Sequence, residues 1–515
     1  MAVNLIDMLF LENMVREMLE DHRSIVLARR YHEGDQDVFL DERLLEFLGL
    51  HDDNPFHLNI CKTVVNALKD ELNVIGFDTT ETADQDRKKA QAEWAWLVWQ
   101  NNRMDAKQGD VHETALRDRE TFIIVDWDAE NSRPRFTHQL RFTDTDVQGG
   151  TGEGCWIVYE NDDMNQPPRA AVKQWVETIF LVDGTASFRA RRTVYYPERI
   201  EKWFYDYGWH ELIEEGAEWP LPWVTRDNKP LGIPVIHFRN SNLRPEAWDA
   251  IPMQDAVNKQ IVDILATSDM SAFPMLVALG FFPTTDGQAV KEDGSNLLGI
   301  KPGTWIGSNK EKDKASVEKI SGTDVTPMIN TLKDLIVLTA QITDTPVSRF
   351  VSSGQVAGSE TLKEQEKPLK KKAKNRRVLI GNSWEDCMIM ARRLDNFFGG
   401  ASLSEDVRFS ALWEYSESLD ELKEYQELGV PEESLWRRIG FSESEITAMK
   451  DTEEHKLKMA KLLWEAAGAA VTAGNSLENF LRDMGWTDEQ LKDLGTQKLA
   501  AIKLKQEDAV PPTSQ

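Results

Sequence analysis

The chain has 515 residues, 41% hydrophobic and 29% charged, a balance that suits folded, water-soluble domains and excludes a disordered polymer. Its formal net charge of −27 excludes generic nucleic-acid binding, which works by covering phosphates with Lys and Arg. An acidic protein can still handle DNA if its task is to repel it rather than hold it.

The first segment, "MAVNLIDMLFLENMVREMLE", has acids within its apolar part and no cleavage site of small residues, so no signal peptide is expected. No run of apolar residues is long enough for a membrane span. Residues 1 to about 120 read as mostly helical. In "NPFHLNICKTVVNALKDEL" the apolar positions recur at helical spacing, with Asn54 as an N-cap and Pro55 at the first helical position. From about 121 to 240 the period changes to two. "TFIIVDWD", "GCWIVYE", "AAVKQWVETIFLV", "RRTVYYPERIEKWFY" and "IPVIHFRN" read as strands of an antiparallel sheet. "QGGTGEGC" around Gly150 and Gly152 looks like a phosphate cradle but leads into a strand, so a hairpin is expected instead.

"IPMQDAVNKQIVDILATSDM" follows, with Pro252 in the first turn and Val257, Ile261, Ile264 and Leu265 as one stripe. Short strands are expected from 271 to 325. A further helix opens with Thr326 as cap and Pro327 as its first residue, and ends near Asp344 ahead of Pro346. After a Gly- and Ser-rich loop, Ser359 caps a helix to about Phe398, with Pro368 expected to kink it. Continuous, that helix is ~60 Å long. From about 415 the chain is helical, and "GVPEESLWRRIGFSESEI" echoes "GNSLENFLRDMGWTDEQL" as a duplicated hairpin. The fold class is α+β, predominantly helical.

Chemistry is sparse. Cys61, Cys155 and Cys387 match neither a zinc nor a disulfide spacing and read as buried small hydrophobes of a chain made in a reducing cytoplasm. P-loop, H-E-x-x-H and G-x-S-x-G motifs are missing, and no cofactor is expected. Asp126 and Asp128, at a strand end, offer the one spacing suited to a divalent metal, though nothing completes a set and no metal site is assigned. The run Lys367, Lys370, Lys371, Lys372, Lys374, Arg376 and Arg377 surrounds its helix. It reads either as a solvated helix paired with nearby acids, or as a contact for phosphates or an adjacent subunit.

The collinear order of these stretches resembles the portal proteins, the head-to-tail connectors of tailed double-stranded-DNA bacteriophages. "ARRYHEGD" with "NPFHLNICKTVVNALKDELNVIGF" is similar to the opening of the portal wing. "IPMQDAVNKQIVDILATSDMSAFPMLVALG" resembles the first stem helix and its exit into the clip. "GIKPGTWIG" and "ISGTDVTPMINTLKDLIVLTAQITDTPVSRF" resemble the end of the clip, the second stem helix and the approach to the tunnel loop. "GSETLKEQEKPLKKKAKNRRVLIGNSWEDCMIMARRL" resembles the long helix that follows. The likeness runs from about 25 to 400.

The resemblance implies a wing at 1–245, a first stem helix at 246–270, a clip at 271–325 and a second stem helix at 326–343. A tunnel loop at 344–359, a long kinked helix with its return to the wing at 360–414, a helical crown at 415–505 and a disordered tail at 506–515 complete it. It implies a ring, typically of twelve subunits, at one capsid vertex of the virion, with no membrane. Double-stranded DNA passes through the ring, driven by a separate large terminase. Scaffolding protein, major capsid protein and head-completion adaptors are the other implied partners. Arg349, Phe350, Val351, Ser352, Ser353, Gln355 and Val356 are then the DNA-facing loop, with Gly354 and Gly358 as its hinge. Trp305, Lys310, Lys312 and Lys314 of the clip are candidates for terminase and adaptor docking. Two other classes stay open: a metal-dependent phosphotransfer or nuclease enzyme on Asp126 and Asp128, and a monomeric helical scaffold or adaptor.

Overall fold

The computed structural model describes residues 22–36, 58–79, 85–143, 153–160, 168–180, 186–213, 218–272, 276–279, 316–319, 324–351 and 359–414, with short stretches and single positions elsewhere. Its contacts divide the chain into Met1–Ser416 and Glu417–Gln515. In the second unit the described positions are few; Leu435 and Ile446 are helical and buried. Apart from single positions, the duplicated hairpin lies outside the described residues, as do Ser352 to Gly358 and the clip candidates Trp305, Lys310, Lys312 and Lys314.

The first unit mixes helix and sheet, the α+β class expected. It opens with helices α1 (His22–Glu33) and α2 (Ile60–Lys69), then strand β1 (Val74–Thr79) and helices α3 (Gln85–Asn101) and α4 (Met104–Arg117). Helix α2 begins five residues later than its sequence suggested. Asn59 is the cap, its side chain accepting the Lys62 N–H at 3.1 Å. Ile60, Cys61, Val64, Val65 and Leu68 form its buried face.

Two antiparallel sheets follow where one was expected. The first has the order β10-β2-β3, formed by β2 (Glu120–Asp128), β3 (Arg133–Leu140) and β10 (Val235–Arg239). The second contains β4 (Gly154–Tyr159), β5 (Pro168–Phe180), β6 (Ala186–Tyr195), β7 (Arg199–Tyr205) and β8 (Trp209–Glu211) in that order, with β9 (Leu221–Pro222) beside β7. "RRTVYYPERIEKWFY" is therefore two strands, parted at Pro197. The Gly150 and Gly152 segment lies outside the described residues, but a bridge between Thr143 and Glu153 closes its two ends together, and β4 follows as a strand.

Helix α5 (Ile251–Ala272) leads to short antiparallel pairs: β11 (Leu276–Leu279) with β14 (Ser316–Lys319), and β12 (Thr284–Thr285) with β13 (Gln288–Ala289). Helix α6 (Thr326–Ile342) returns against α5, and Gln260 Nε2 donates to the Met328 carbonyl at 3.3 Å. Its leading N–H is capped by the Asp324 carboxylate, which accepts from Thr326 N at 2.9 Å, so Thr326 is the first helical residue and not the cap. Helix α7 (Ser359–Leu394) carries Pro368 at an exposed interior position and ends in a π-helical turn over Asp395–Gly399. Gly400, at φ 72, then supplies the left-handed residue that ends it. Strand β15 (Phe409–Trp413) pairs with β1, more than three hundred residues earlier in the chain.

The main core forms around α7. Leu369, Ala373, Ile380, Trp384, Met388 and Ala391 recur every three, four or seven residues and are buried on one face. Trp384 stands edge-on to Trp99 at 4.7 Å and to Phe238 at 4.6 Å between ring centroids. All three cysteines are buried and unpaired. No helix among the described residues is long and apolar enough to cross a membrane.

Candidate functional site at the root of the loop

The loop that the sequence singles out is fixed at its entry and followed by a helix held into the same root. At its entry, α6 closes with the Thr343 hydroxyl donating to the Thr339 carbonyl at 2.7 Å. Asp344 takes a left-handed φ of 52, which turns the chain, and Thr345 N then donates back to Ala340 O at 3.0 Å. Pro346 introduces a single 3₁₀ turn, Val347–Arg349, that leads to Phe350.

Two of the loop candidates are engaged at this root. Arg349 Nη1 lies 3.3 Å from Asp70 Oδ2, an exposed ion pair onto the end of α2. Phe350 packs against the cluster of Ile60, Val257 and Ile261, which joins α2 to α5 and α6, and also against the main core. Phe350 thus serves as a packing anchor in this chain, whereas Val351 is exposed.

On the far side, α7 divides its basic run by direction. Lys372 Nζ donates to Thr343 O at 2.7 Å and lies 2.5 Å from Glu246 Oε1. Arg376 Nη2 reaches the other oxygen of Glu246 at 3.1 Å, and Asn240 Nδ2 donates to the same oxygen at 3.0 Å. Burial opposes ionisation of Glu246, but the charges of Lys372 and Arg376 outweigh it and hold this carboxyl below the usual carboxylate range. Arg377 donates to the Glu71 carbonyl at 2.7 Å through Nη2. Lys372, Arg376 and Arg377 are therefore turned inward. Lys370 and Lys367 pair along the helix with Glu366 and Glu364, and Lys367, Lys371 and Lys374 are exposed. The run does surround its helix, and five of its seven residues engage acids or carbonyls of their own chain.

The Asp126 and Asp128 pair behaves differently from a metal site. The β2–β3 register sets Asp126 opposite Arg135 and Asp128 opposite Arg133. Arg135 Nη2 lies 3.3 Å from Asp126, and Asp128 accepts from Asn131 Nδ2 at 2.8 Å. Hydrogen bonds from the Asn131 side chain and backbone hold Asp128 below its ordinary range. No cluster of three or more His, Cys, Asp or Glu able to hold a metal occurs among the described residues.

Sequence reasoning missed the acids that organise this root: Asp70, Glu71 and Glu246. Glu246 lies in "NLRPEAWDA", outside any periodic element, and gains its meaning only from Arg376, 130 positions later. Glu71 and Asp70 ended an α2 that had been read for its apolar stripe alone.

Comparison with known proteins agrees with this architecture. The profile of the family described as phage portal protein, SPP1 Gp6-like, matches residues 12–459. The portal protein of Mycobacterium phage D29 is 21% identical over 426 residues, covering 78% of this chain and 80% of that protein. The portal protein of Mycobacterium phage L5 is 22% identical over 275 residues, 49% of this chain and 54% of that protein. The chain belongs to the SPP1 Gp6-like family of phage portal proteins. Its role is that of a capsid portal.

Proposed function

We propose that copies of this chain close into a ring, of twelve subunits, whose channel conducts double-stranded DNA into and out of a phage head. The observation that carries this reading is helix α6. Only Thr339 and Ala340 of its seventeen residues are buried, yet Ile329, Val337, Leu338 and Ile342 are large, apolar and exposed. A single chain leaves such a surface in water at a cost of about 25 cal/mol per Å². Packing against copies of itself around a closed symmetry axis removes it.

In this ring, residues 344–359 form the tunnel loop. Val351, Ser352, Ser353, Gln355 and Val356 meet DNA, with Gly354 and Gly358 giving freedom of movement. Arg349 and Phe350 hold the base of that loop rather than its tip, a role supported by the Asp70 pair and the apolar seat of Phe350. The loop is nearly uncharged, so it touches DNA without trapping it.

The ring occupies the portal vertex of the virion and is structural rather than enzymatic. A separate large terminase supplies the packaging work and docks on the clip, where Trp305, Lys310, Lys312 and Lys314 are the contact candidates. Head-completion adaptors later take its place, and scaffolding and major capsid proteins surround the ring. The outward-facing Lys367, Lys371 and Lys374 meet acids of a neighbouring subunit. Packaging assays on particles carrying a shortened loop test the reading: intact rings with poor DNA retention support it, and full retention contradicts it.

A further inference from the structure

The distal half of the six-stranded sheet carries a second surface unrelated to the loop. One row crosses four strands in direct register: Trp175 opposite Arg191, Arg191 opposite Phe204, and Phe204 opposite His210. Arg189 stands beside this row with its guanidinium carbon 5.2 Å from the Phe204 ring centroid, and that of Arg191 lies 5.8 Å from the same ring. His210 is exposed and stacks at a tilt on Phe204, 5.5 Å between centroids. The reverse side of the sheet buries Val172, Val194 and Trp203. Among the described residues neither Trp175 nor Phe204 belongs to a buried cluster, so this aromatic and cationic face is left without a cover.

We propose that this face docks an acidic polypeptide segment in which carboxylates alternate with apolar side chains. Charge complementarity carries the assignment. In a chain of net charge −27, the face holds Arg189 and Arg191, Lys173 with its ammonium 5.0 Å over the Trp175 ring, and Lys202 in the next row, with His210 beside them; its carboxylates are Glu177 and, at the edge, Glu153. Glu177 shows the chemistry in place, accepting from Arg191 Nε at 2.7 Å. The other arm of that guanidinium, Nη1, is shielded from water with no acceptor. A buried donor left in that state favours a ligand oxygen that can reach it.

Guanidinium groups laid on a ring are ordered in advance and fit carboxylates in a fork. The flanking rings of Trp175 and Phe204 add apolar area at small entropic cost. Nucleic acid also offers negative charge and stacking. Its affinity, however, grows with the number of phosphates neutralised, and a small group of cations on an acidic chain neutralises few.

The test uses the full chain and a short fluorescein-labelled peptide alternating Glu and Leu, read by fluorescence anisotropy at physiological salt. Arg189→Gln with Arg191→Gln should weaken binding by about tenfold or more, the loss expected for charge-assisted hydrogen bonds. Arg226→Gln with Lys229→Gln, an equal charge change at exposed positions elsewhere, should alter it by less than about twofold. If the double arginine variant fails to fold, His210→Glu serves in its place, because that side chain is exposed and a like charge there should also weaken binding. Equal affinity in the variant and the natural chain overturns the proposal, as does no binding of the peptide. Tighter binding of an oligothymidylate, lost in the same variant, would assign the face to single-stranded nucleic acid instead.

Discussion

Lys372 of α7 and Glu246, ahead of α5, meet at 2.5 Å, and through the Thr343 carbonyl the same lysine holds the end of α6. One cation thus ties together the segment before α5, the end of α6 and the long helix α7 after the loop. Glu246 N also donates to Leu116 O at 2.8 Å, which extends the tie to the end of α4. The root of the loop is thereby a fixed base.

Removing one member of that buried network should be costly. Glu246→Ala leaves Lys372 and Arg376 facing each other without a counter-charge, and we expect a loss of about 3–5 kcal/mol in denaturant unfolding. Lys372→Met should cost less, because Arg376 and Asn240 still satisfy the carboxylate.

The outward lysines should separate from the inward ones. Lys371→Glu with Lys374→Glu should fold with a melting temperature close to that of the natural chain and weaken association between copies, as read by analytical ultracentrifugation. Lys372→Glu should unfold the root itself, since it sets two carboxylates against each other at 4% exposure of Glu246.

Loop truncation should show the same division. Deleting 352–357 with a short Gly bridge should leave thermal stability and assembly unchanged while reducing DNA retention in particles. Phe350→Ala should instead lower stability by about 2 kcal/mol through lost packing.

Acid should destabilise the core through two imidazoles. His112 Nδ1 donates to the Leu72 carbonyl and Nε2 accepts from Trp384, each at 2.9 Å, so a second proton has no acceptor. Burial lowers His112 from 6.5 to about 4, and His32, also mainly through burial, to about 4. The unfolded chain therefore binds protons more readily between pH 6.5 and 4. Stability from His112, on the order of 3 kcal/mol, is complete above pH 6.5 and is lost as the pH falls through that window. Unfolding midpoints at pH 7 and pH 5 should differ accordingly, and His112→Gln should flatten that slope. A further loss below pH 4.5 should come from Glu120. Burial opposes its ionisation, but the His237 hydrogen bond and the Arg141 charge outweigh it and hold the carboxyl at about 2.

Much of this architecture is legible in the sequence. Period-two stretches gave β2, β4, β5 and β10 close to their observed bounds, and the apolar stripe containing Val257 and Ile261 marked α5. What escaped were features decided at long range. β3, "RPRFTHQL", alternates charge with apolar residues too weakly to read as a strand, and forms because β2 offers an edge. β1 and β15 pair across more than three hundred residues, with α7 between them in the chain, so no local pattern marks the partnership. The basic run could be seen, but its division into inward and outward residues depended on Glu246 and Glu71, which no local pattern marks.

The central claim is the closed ring, and imaging tests it most directly. Cryo-electron microscopy of the purified chain, co-expressed with its scaffolding protein so that assembly is not limited, should show closed rings with a central pore and α6 at an interface between copies. A dispersed monomer under those conditions, with the apolar face of α6 still in solvent, would contradict the account.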